Sequence, residues 1–584
     1  MARMSAAFWK RIPPPDAAVS PDVDRTPSAT PAPGHRRSSL WCGLLVVTSG
    51  LLAFIALDNT VFWDDEAHTA FIARNWVQSG RPIGWDERNL YAYRNGTCLD
   101  EQLRSRNPPL DIAVCAASFA LLGESTWTAR FPFVVAGVLA LVVCVLLLRE
   151  EFPEHPAVWH YSLAAFGLSP VFLLNVRQCR YNALAILFSL LAYYGYRRFL
   201  RQHRWRDVLL FSFSSIALFY ANFLIAAGFL LALAVLQSIR FVRNRSRNEL
   251  AMLIAAAAIF LLATVPYAVS FEIWTRPDMP TSANGWPWQR LILLWWNFRD
   301  VNVITSLPWT ICCVLLYFLL RRPERLPCRA RVWELLLFAV TQIAFIALLS
   351  PQPTDGSYPA DVRYLVATAP FLAMLVGIVL ASVHRVRPVM AAAFFLVLVS
   401  CNLLTLHPGH RQFRLLLPGY LYEVSHDYPT AYGSAVEFIH QHVPQDSEVL
   451  AVPEHTNYPL MYYCGDPVRF CCLLDKKTPL PREFLETLEP TLFREQHFPE
   501  WIIAFGWRSN TEQTLRYFSR RHRFGGVARQ YAYRLVDKLD CFCIDTSRPE
   551  LMWHTFGPHE NFNRETERIF VFRRSRNIGR PVGL

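Results

Sequence analysis

Stretches of about 18–22 residues without a charge recur along this chain, each long enough for a helix to cross the roughly 30 Å core of a bilayer. Of its 584 residues, 53% are hydrophobic and only 18% charged. The fold class that follows is a multi-spanning α-helical membrane protein. The net charge of +12 at first points to nucleic acid. The basicity is almost all arginine, however, since only Lys10, Lys476, Lys477 and Lys538 are lysines. Much of that arginine sits in short loops between apolar stretches, which is how membrane proteins mark their cytoplasmic side. No nucleic-acid module is visible, so no nucleic-acid partner is expected.

Arginine placement orders the spans. Arg36 and Arg37 precede the first, Leu40–Leu57, and put the N-terminal side in the cytoplasm. A long outer segment, 58–127, follows. It holds a helical stretch starting near Asp65, and a second from Leu110 to Leu122 that is too short to cross comfortably and reads as interfacial or re-entrant. Further spans are expected at Phe131–Leu148, Val158–Val176 and Asn182–Tyr196. The uncharged run Val208–Ile239 is too long for one crossing and is expected to fold as a pair turning at Tyr220-Ala221-Asn222. Leu250–Phe271, Val301–Leu320, Leu335–Ser350, Tyr364–Val383 and Pro388–Leu406 complete the series. About eleven spans in all place the remainder outside.

Residues 1–38, rich in Pro, Ala and Ser, read as a disordered cytoplasmic tail, and no cleavable signal is evident. Residues 39–406 form the transmembrane domain. From 407 to 584 no spanning run occurs. Helix-like segments (Ala435–His442, Thr511–Arg520) alternate there with strand-like ones (Glu448–Val452, Trp501–Phe505, Arg568–Arg573), as in an extracytoplasmic soluble α/β domain. Cys471-Cys472 and Cys541-x-Cys543 could pair, though free thiols are the simpler expectation, and no spacing matches a zinc site.

Four features converge on the outer face. Asp64-Asp65-Glu66 leaves the first span; carboxylates so close to a bilayer mark functional candidates, while Asp64 also suits a helix cap. Arg177-Gln178-Cys179-Arg180-Tyr181 places two arginines in a tight outer loop against the orientation rule, and guanidinium groups bind phosphate in bidentate fashion. Arg363-Tyr364 stands at the mouth of a late span, where a salt bridge to Asp361 or Asp355 is the plain alternative. The Tyr220–Asn222 turn can be simple turn chemistry.

The order of these motifs resembles a known family. An Asp-Glu pair after the first span leads into an amphipathic helix ending at Gly80. Then follow Asn107-Pro108-Pro109-Leu110, the Gly-x-Ser-x-x-x-x-Arg run from Gly123 to Arg130, the Arg-Tyr-x-x-Leu run from Arg180 to Leu184, and Arg363-Tyr364-Leu365. Together they resemble the GT-C membrane glycosyltransferases, in particular the protein O-mannosyltransferase and lipid A aminoarabinose transferase superfamily, over residues 40–406. The chain departs where the family often has His (Asn107 here), an aromatic (Asp111) and a His-Tyr-type turn (Tyr220-Ala221-Asn222).

The resemblance implies an inverting glycosyltransferase that moves a sugar from a polyprenyl-phosphate carrier to an acceptor hydroxyl at the outer face of the cell (inner) membrane. Asp65 matches the catalytic acidic position, and Glu66 is its orienting or acceptor-binding neighbour. Arg180, Tyr181, Arg363 and Tyr364 match carrier-phosphate positions, and Asn107 and Asn222, where the family pattern is not kept, are candidate acceptor or carrier contacts. The physics is compatible. A polyprenyl phosphate leaves readily, so one base suffices, worth about 10²–10⁴-fold. Adjacent helical carboxylates point ~100° apart and cannot flank one bond as a glycosidase pair does. No cofactor beyond the lipid-linked sugar is required, although a divalent ion is compatible. The implied partners are the bilayer, the carrier sugar, and an acceptor that could be protein, lipid or glycan. The alternatives are a glycan ligase or polymerase, a non-catalytic GT-C-like protein, and a transporter, for which an internal repeat and mid-span charges would be expected.

Overall fold

The computed structural model describes residues 33–91, 99–100, 102–244, 246–273, 287–321, 326, 329–350, 362–405, 413–426, 429–471, 498–507, 509–519, 522–524, 527–529, 531–541 and 568–575. The tail before residue 33, the acidic loop with Asp355 and Asp361, Cys472 and Cys543 lie outside the described residues.

Each expected span coincides with helix. The first is Pro33–Phe54, which begins inside the stretch read as a tail. It also stops short of Leu57. The chain turns at Ala56, whose φ of 47° ends the helix, and Arg177 covers the freed carbonyls of Ala53 and Ala56 at 3.0 and 2.6 Å. Thr126–Glu151 follows the outer segment, started by the Ser125 hydroxyl on the Thr128 amide. The third span is a broken pair, Pro156–Gly167 and Pro170–Val176, bent by 55°. Pro170 breaks it, since proline cannot donate to the turn before it. The uncharged run divides as anticipated, into Trp205–Ala221 and Phe223–Asn244 with Asn222 between them. The span placed at Val301–Leu320 differs: helix Pro287–Thr305 ends, and Trp309–Leu320 starts after Pro308.

Among the described residues, six helices are long and apolar enough to cross a membrane, or up to seven with the bent pair as one. The helices of the other expected spans are shorter or carry more charge. The most enclosed is the Tyr364–Val386 span, 94% buried. Its helix Ala369–Val386 lies against Pro156–Gly167 so closely that a Cβ on Gly377 would fall 2.0 Å from the Ser162 hydroxyl.

At the end of the bundle where arginine clusters were placed inside, Glu151 takes Arg197 at 3.0 Å and Arg331 at 2.9 Å, and Glu334 takes Arg197 at 2.9 Å. Glu150 takes Arg201 at 2.7 Å. Glu150 and Glu151, at the end of the helix Thr126–Glu151, are therefore counter-ions of those arginines, tying three helices together.

Beyond the spans, strands β1 (Glu448–Val452), β2 (Arg469–Phe470), β3 (Trp501–Phe505), β4 (His522–Phe524), β5 (Val527–Arg529), β6 (Ala532–Asp540) and β7 (Arg568–Ser575) appear with helices Leu417–Val424, Ala431–His442, Asn457–Cys464 and Ser509–Ser519. Five strands form one sheet in the order β2-β1-β3-β7-β6, and β4 pairs with β5 separately. β1 runs parallel to β2 and β3, while β7 runs antiparallel to β3 and β6. All five residues of β3 are buried, as a central strand requires. Helix Asn457–Cys464 docks this unit onto the outer segment. The Tyr463 hydroxyl accepts the Phe62 amide at 3.1 Å and meets the Thr126 hydroxyl at 2.8 Å. Arg74 donates to the Tyr462 carbonyl at 3.1 Å.

Candidate active site

The helix Asp64–Ser79 carries the acidic cluster and ends where Gly80 adopts φ 74°, a left-handed turn that glycine makes without strain. Its N-cap is Trp63, not Asp64. Asp64 is the first helical residue, and its Oδ1 accepts the amide of Asp65 at 3.0 Å. A cap must sit outside the helix in extended backbone, and Trp63 holds that conformation here. Three carboxylates in the first turn complement the positive helix end.

The next two carboxylates diverge. Glu66 is 2% exposed and is held from two sides of Arg130, by Nε at 2.9 Å and Nη2 at 2.8 Å. It also accepts the amide of Cys179 at 2.9 Å. Arg130 in turn donates to the carbonyls of Leu57 and Thr60 at 2.9 Å each. Glu66 thus positions the loop between Val176 and Tyr181 and is sealed from an acceptor. The orienting half of its expected role fits this geometry; the acceptor-binding half does not.

Asp65, 27% exposed at its side chain, points the other way and meets Arg180 at 3.0 Å. The pair joins two motifs far apart in sequence. Arg180 stacks over the ring of Tyr181, 5.3 Å from its centroid, and Tyr181 is buried as the first residue of the helix Tyr181–Gln202. The same guanidinium lies 3.8 Å from Asp111 and 3.5 Å from Nδ1 of His68. An arginine can only donate, so His68 Nδ1 is the acceptor of that contact. On the other side of the ring, Nε2 lies 3.1 Å from Nδ2 of Asn107.

The companion arginine behaves differently. Arg177 spends its donors on carbonyls at the end of the first helix and on the Tyr420 hydroxyl at 3.3 Å. Only one of the two loop arginines therefore faces the acidic cluster.

Asp111 was noticed in the sequence only as a departure from the family pattern. It is 3% exposed, accepts the Thr69 hydroxyl at 3.5 Å, and is the one charge in the helix Leu110–Leu122. Burial pushes its carboxyl up to about 6, against the opposing pull of Arg180 and of the Ile112 amide. That lone charge in an apolar helix was the signal that could have found it. His68 could have been found from its place three residues after Asp65, on the same face of the helix.

The remaining expected residues are more peripheral. Asn107 is anchored by its carbonyl, which accepts the Tyr267 hydroxyl at 3.2 Å. Asn222 is a helix cap, its Oδ1 accepting the Ile225 amide at 3.0 Å, which is the turn chemistry held out as its alternative. Its neighbour Tyr220 meets Tyr267 edge-on, with centroids 5.2 Å apart. Tyr364 is partly buried against the core, in the 3₁₀ turn Val362–Thr368 that packs on the helix Tyr181–Gln202. The side chain of Arg363 lies outside the described residues. Among the described residues no group of three or more His, Cys, Asp or Glu is placed to hold a metal ion.

Residues 106–269 match the family described as dolichyl-phosphate-mannose-protein mannosyltransferase. The match spans less than half of the chain. It takes in Asn107, Asp111, Arg130, Arg180 and Asn222, and leaves Asp65, Glu66 and Arg363 outside. Over these residues the chain is similar to a family of glycosyltransferases, in keeping with the resemblance read from the motifs. No curated protein is matched. Among solved structures, ArnT from Cupriavidus metallidurans bound to undecaprenyl phosphate is 17% identical, covering 84% of this chain and 97% of that one with a TM-score of 0.49. The archaeal oligosaccharyltransferase AglB from Archaeoglobus fulgidus, in complex with an inhibitory peptide and a dolichol-phosphate, is 12% identical over 80% and 69% with a TM-score of 0.42. The arabinofuranosyltransferase AftD from mycobacteria is 12% identical over 80% and 35% with a TM-score of 0.45.

Proposed function

We propose that this protein transfers a sugar from a polyprenyl-phosphate carrier to an acceptor hydroxyl, at the extracytoplasmic face of the membrane and with inversion. The observation that carries this reading is the 3.0 Å pair of Asp65 with Arg180, a partly open carboxylate beside a mostly buried guanidinium at the start of a helix. A base and an anion site side by side are what a direct displacement on a lipid phosphate needs. Asp65 takes the proton of the acceptor hydroxyl as its oxygen bonds to the anomeric carbon. The bond from that carbon to the phosphate oxygen breaks, and the pair of electrons leaves with the carrier phosphate. Arg180, joined by Arg363, offsets the charge that develops there. Tyr181 and Tyr364 flank the headgroup. Glu66 acts at one remove, by fixing the loop that presents Arg180. Asn107 lines the acceptor side beside His68, and Asn222 shapes the turn behind it.

The C-terminal unit, 407–584, is read as an extracytoplasmic α/β domain. Its helix Asn457–Cys464 grips both the approach to Asp65 and the start of the Thr126–Glu151 helix. It therefore braces the site in addition to any part it plays in holding an acceptor.

The test is to purify the full chain in mild detergent, extract its lipids and identify by mass spectrometry any polyprenyl-phosphate sugar that co-purifies. That lipid is then supplied in labelled form with candidate acceptors. Release of free polyprenyl phosphate with sugar bound to the acceptor, abolished in Asp65→Asn, is the expected result. A donor consumed equally by the variant would overturn Asp65 as the base.

A further inference from the structure

Arg180 faces more than one carboxylate. Its Nη2 lies 3.0 Å from Asp65, and its Nη1 lies 3.8 Å from Asp111. The two carboxylates are not equivalent. Asp65 is partly open at 27%, whereas the Asp111 side chain is only 5% exposed. An acceptor could reach Asp65; Asp111 has no such opening. A buried acid costs free energy unless it serves a paired charge, and the charge Asp111 faces is the one assigned to the carrier phosphate.

We propose that Asp111 competes with the carrier phosphate for the guanidinium of Arg180, and so sets how readily the spent carrier leaves the site. This rests on reading Arg180 as the carrier-phosphate ligand. The donor is a phosphodiester with one negative charge. After transfer the carrier is a monoester with up to two. The product therefore binds a lone arginine more tightly than the substrate does, and product release is where such an enzyme would stall. A fixed carboxylate beside Arg180 weakens its hold on both, and acts most on the more highly charged product. Asp111 touches no reacting atom in this scheme and is a positioning residue.

The competition is conditional on protonation. With its carboxyl pushed up to about 6 by burial, Asp111 is ionised at pH 8 and largely neutral at pH 5. Once neutral, it no longer opposes a bound phosphate, so carrier affinity rises as pH falls through that range. Other groups share the neighbourhood. Asp65 and His68 come from the helix Asp64–Ser79, and Cys179 and Arg180 from the loop. Tyr181 follows Arg180, and Cys115 stands one turn along on the same helix, its sulfur 3.3 Å from that of Cys179. Glu66 and Arg130 lie behind Cys179, and the helix Trp205–Ala221, which carries Tyr220, also packs there. Any of these could bend a pH profile. The comparison that isolates Asp111 is the ratio of affinities between wild type and Asp111→Asn.

The probe is a short-chain prenyl methyl phosphate, a diester with no ionisation in the range used. Its binding to the full-length protein in detergent is measured by calorimetry from pH 5 to 8. At pH 8, Asp111→Asn should bind it at least about fivefold more tightly than wild type, the low end of coupling between neighbouring sites. At pH 5 the two should bind alike. Asp111→Glu, which restores the charge, should bring affinity back toward wild type at pH 8. In turnover, Asp111→Asn should lower KM for the carrier sugar and kcat together, because release slows. Equal or weaker binding by Asp111→Asn at pH 8, with unchanged Tm, overturns the competition; so does an affinity ratio that does not vary with pH. No binding by wild type at any pH removes the carrier site itself, and the role of Asp111 with it.

Discussion

Changing Glu66 to Gln removes one charge and almost no volume, and the structure says what that does. Glu66 and Arg130 are 2% and 6% exposed at their side chains and make two charge-assisted bonds, at 2.9 and 2.8 Å. The third bond to the carboxylate is the Cys179 amide. A glutamine can keep one oxygen for one of these donors, but its NH₂ then faces another donor. Arg130 is left as a buried cation with only neutral acceptors around it. Removing one partner of such a pair costs about 3–5 kcal/mol, and an amide left unsatisfied adds about 1–3 kcal/mol. Either is a large share of the roughly 5–15 kcal/mol that holds a domain together. The neighbouring change, Asp65→Asn, breaks a single, more open pair and leaves Arg180 with Asp111 as a counter-ion at 3.8 Å, so it costs less than stranding Arg130. Thermal unfolding of the purified full-length variants, followed by intrinsic fluorescence at one detergent concentration, should therefore separate them. Glu66→Gln should show a clearly lowered Tm and Asp65→Asn a Tm near wild type, although the changes are adjacent and chemically identical. A double variant, Glu66→Gln with Arg130→Met, should recover part of the loss by removing the stranded cation. If Glu66→Gln is as stable as wild type, or if Asp65→Asn is the less stable of the two, the assignment of one sealed and one working carboxylate is wrong.

Asp65→Asn should lose about 10²-fold or more in sugar transfer, because an amide cannot take the acceptor proton. Asp64→Asn should keep most activity, since Asn can still accept the Asp65 amide; the inverse outcome would move the base one residue upstream. Carrier binding should fall more in Arg180→Ala than in Arg180→Lys, which keeps the charge and loses the fork; equal losses would argue against a phosphate ligand. A reporter fused after Leu584 should be active only outside the cytoplasm, and cytoplasmic activity would overturn the span count.

What could be read in advance was governed by periodicity and by glycine and proline. Helices answered to length and apolarity, the Gly80 stop to its left-handed turn, and β1 and β3 to short apolar runs between polar ones. The break before Trp309 was missed although Pro308 marks it, because the apolar pattern runs on across it. The site was legible as a set of charged residues and not as a set of pairs. Sequence could place Arg177 and Arg180 in one loop, but which of them turns inward depends on carbonyls left bare by the end of a helix over a hundred residues earlier. Asp111 stood out in the sequence only as a departure from the family pattern and His68 was given no role; they meet Arg180 only once two helices and a loop have packed.

The acidic and basic motifs each split in the same way, and the two splits are linked. One acid and one base turn into the protein: Glu66 onto Arg130, and Arg177 onto the carbonyls of Ala53 and Ala56. Both grips fall on the short connection between the first span and the Asp64–Ser79 helix, because Arg130 also holds Leu57 and Thr60. The other acid and base, Asp65 and Arg180, are left facing each other at 3.0 Å. Glu66 closes the circuit by holding the amide of Cys179, next to Arg180. Adjacent helical side chains diverge by ~100°, so one turn can serve a buried clamp and an open site at once. The distance between Asp65 and Arg180 is thus fixed by the residues beside them, at the end of the first span.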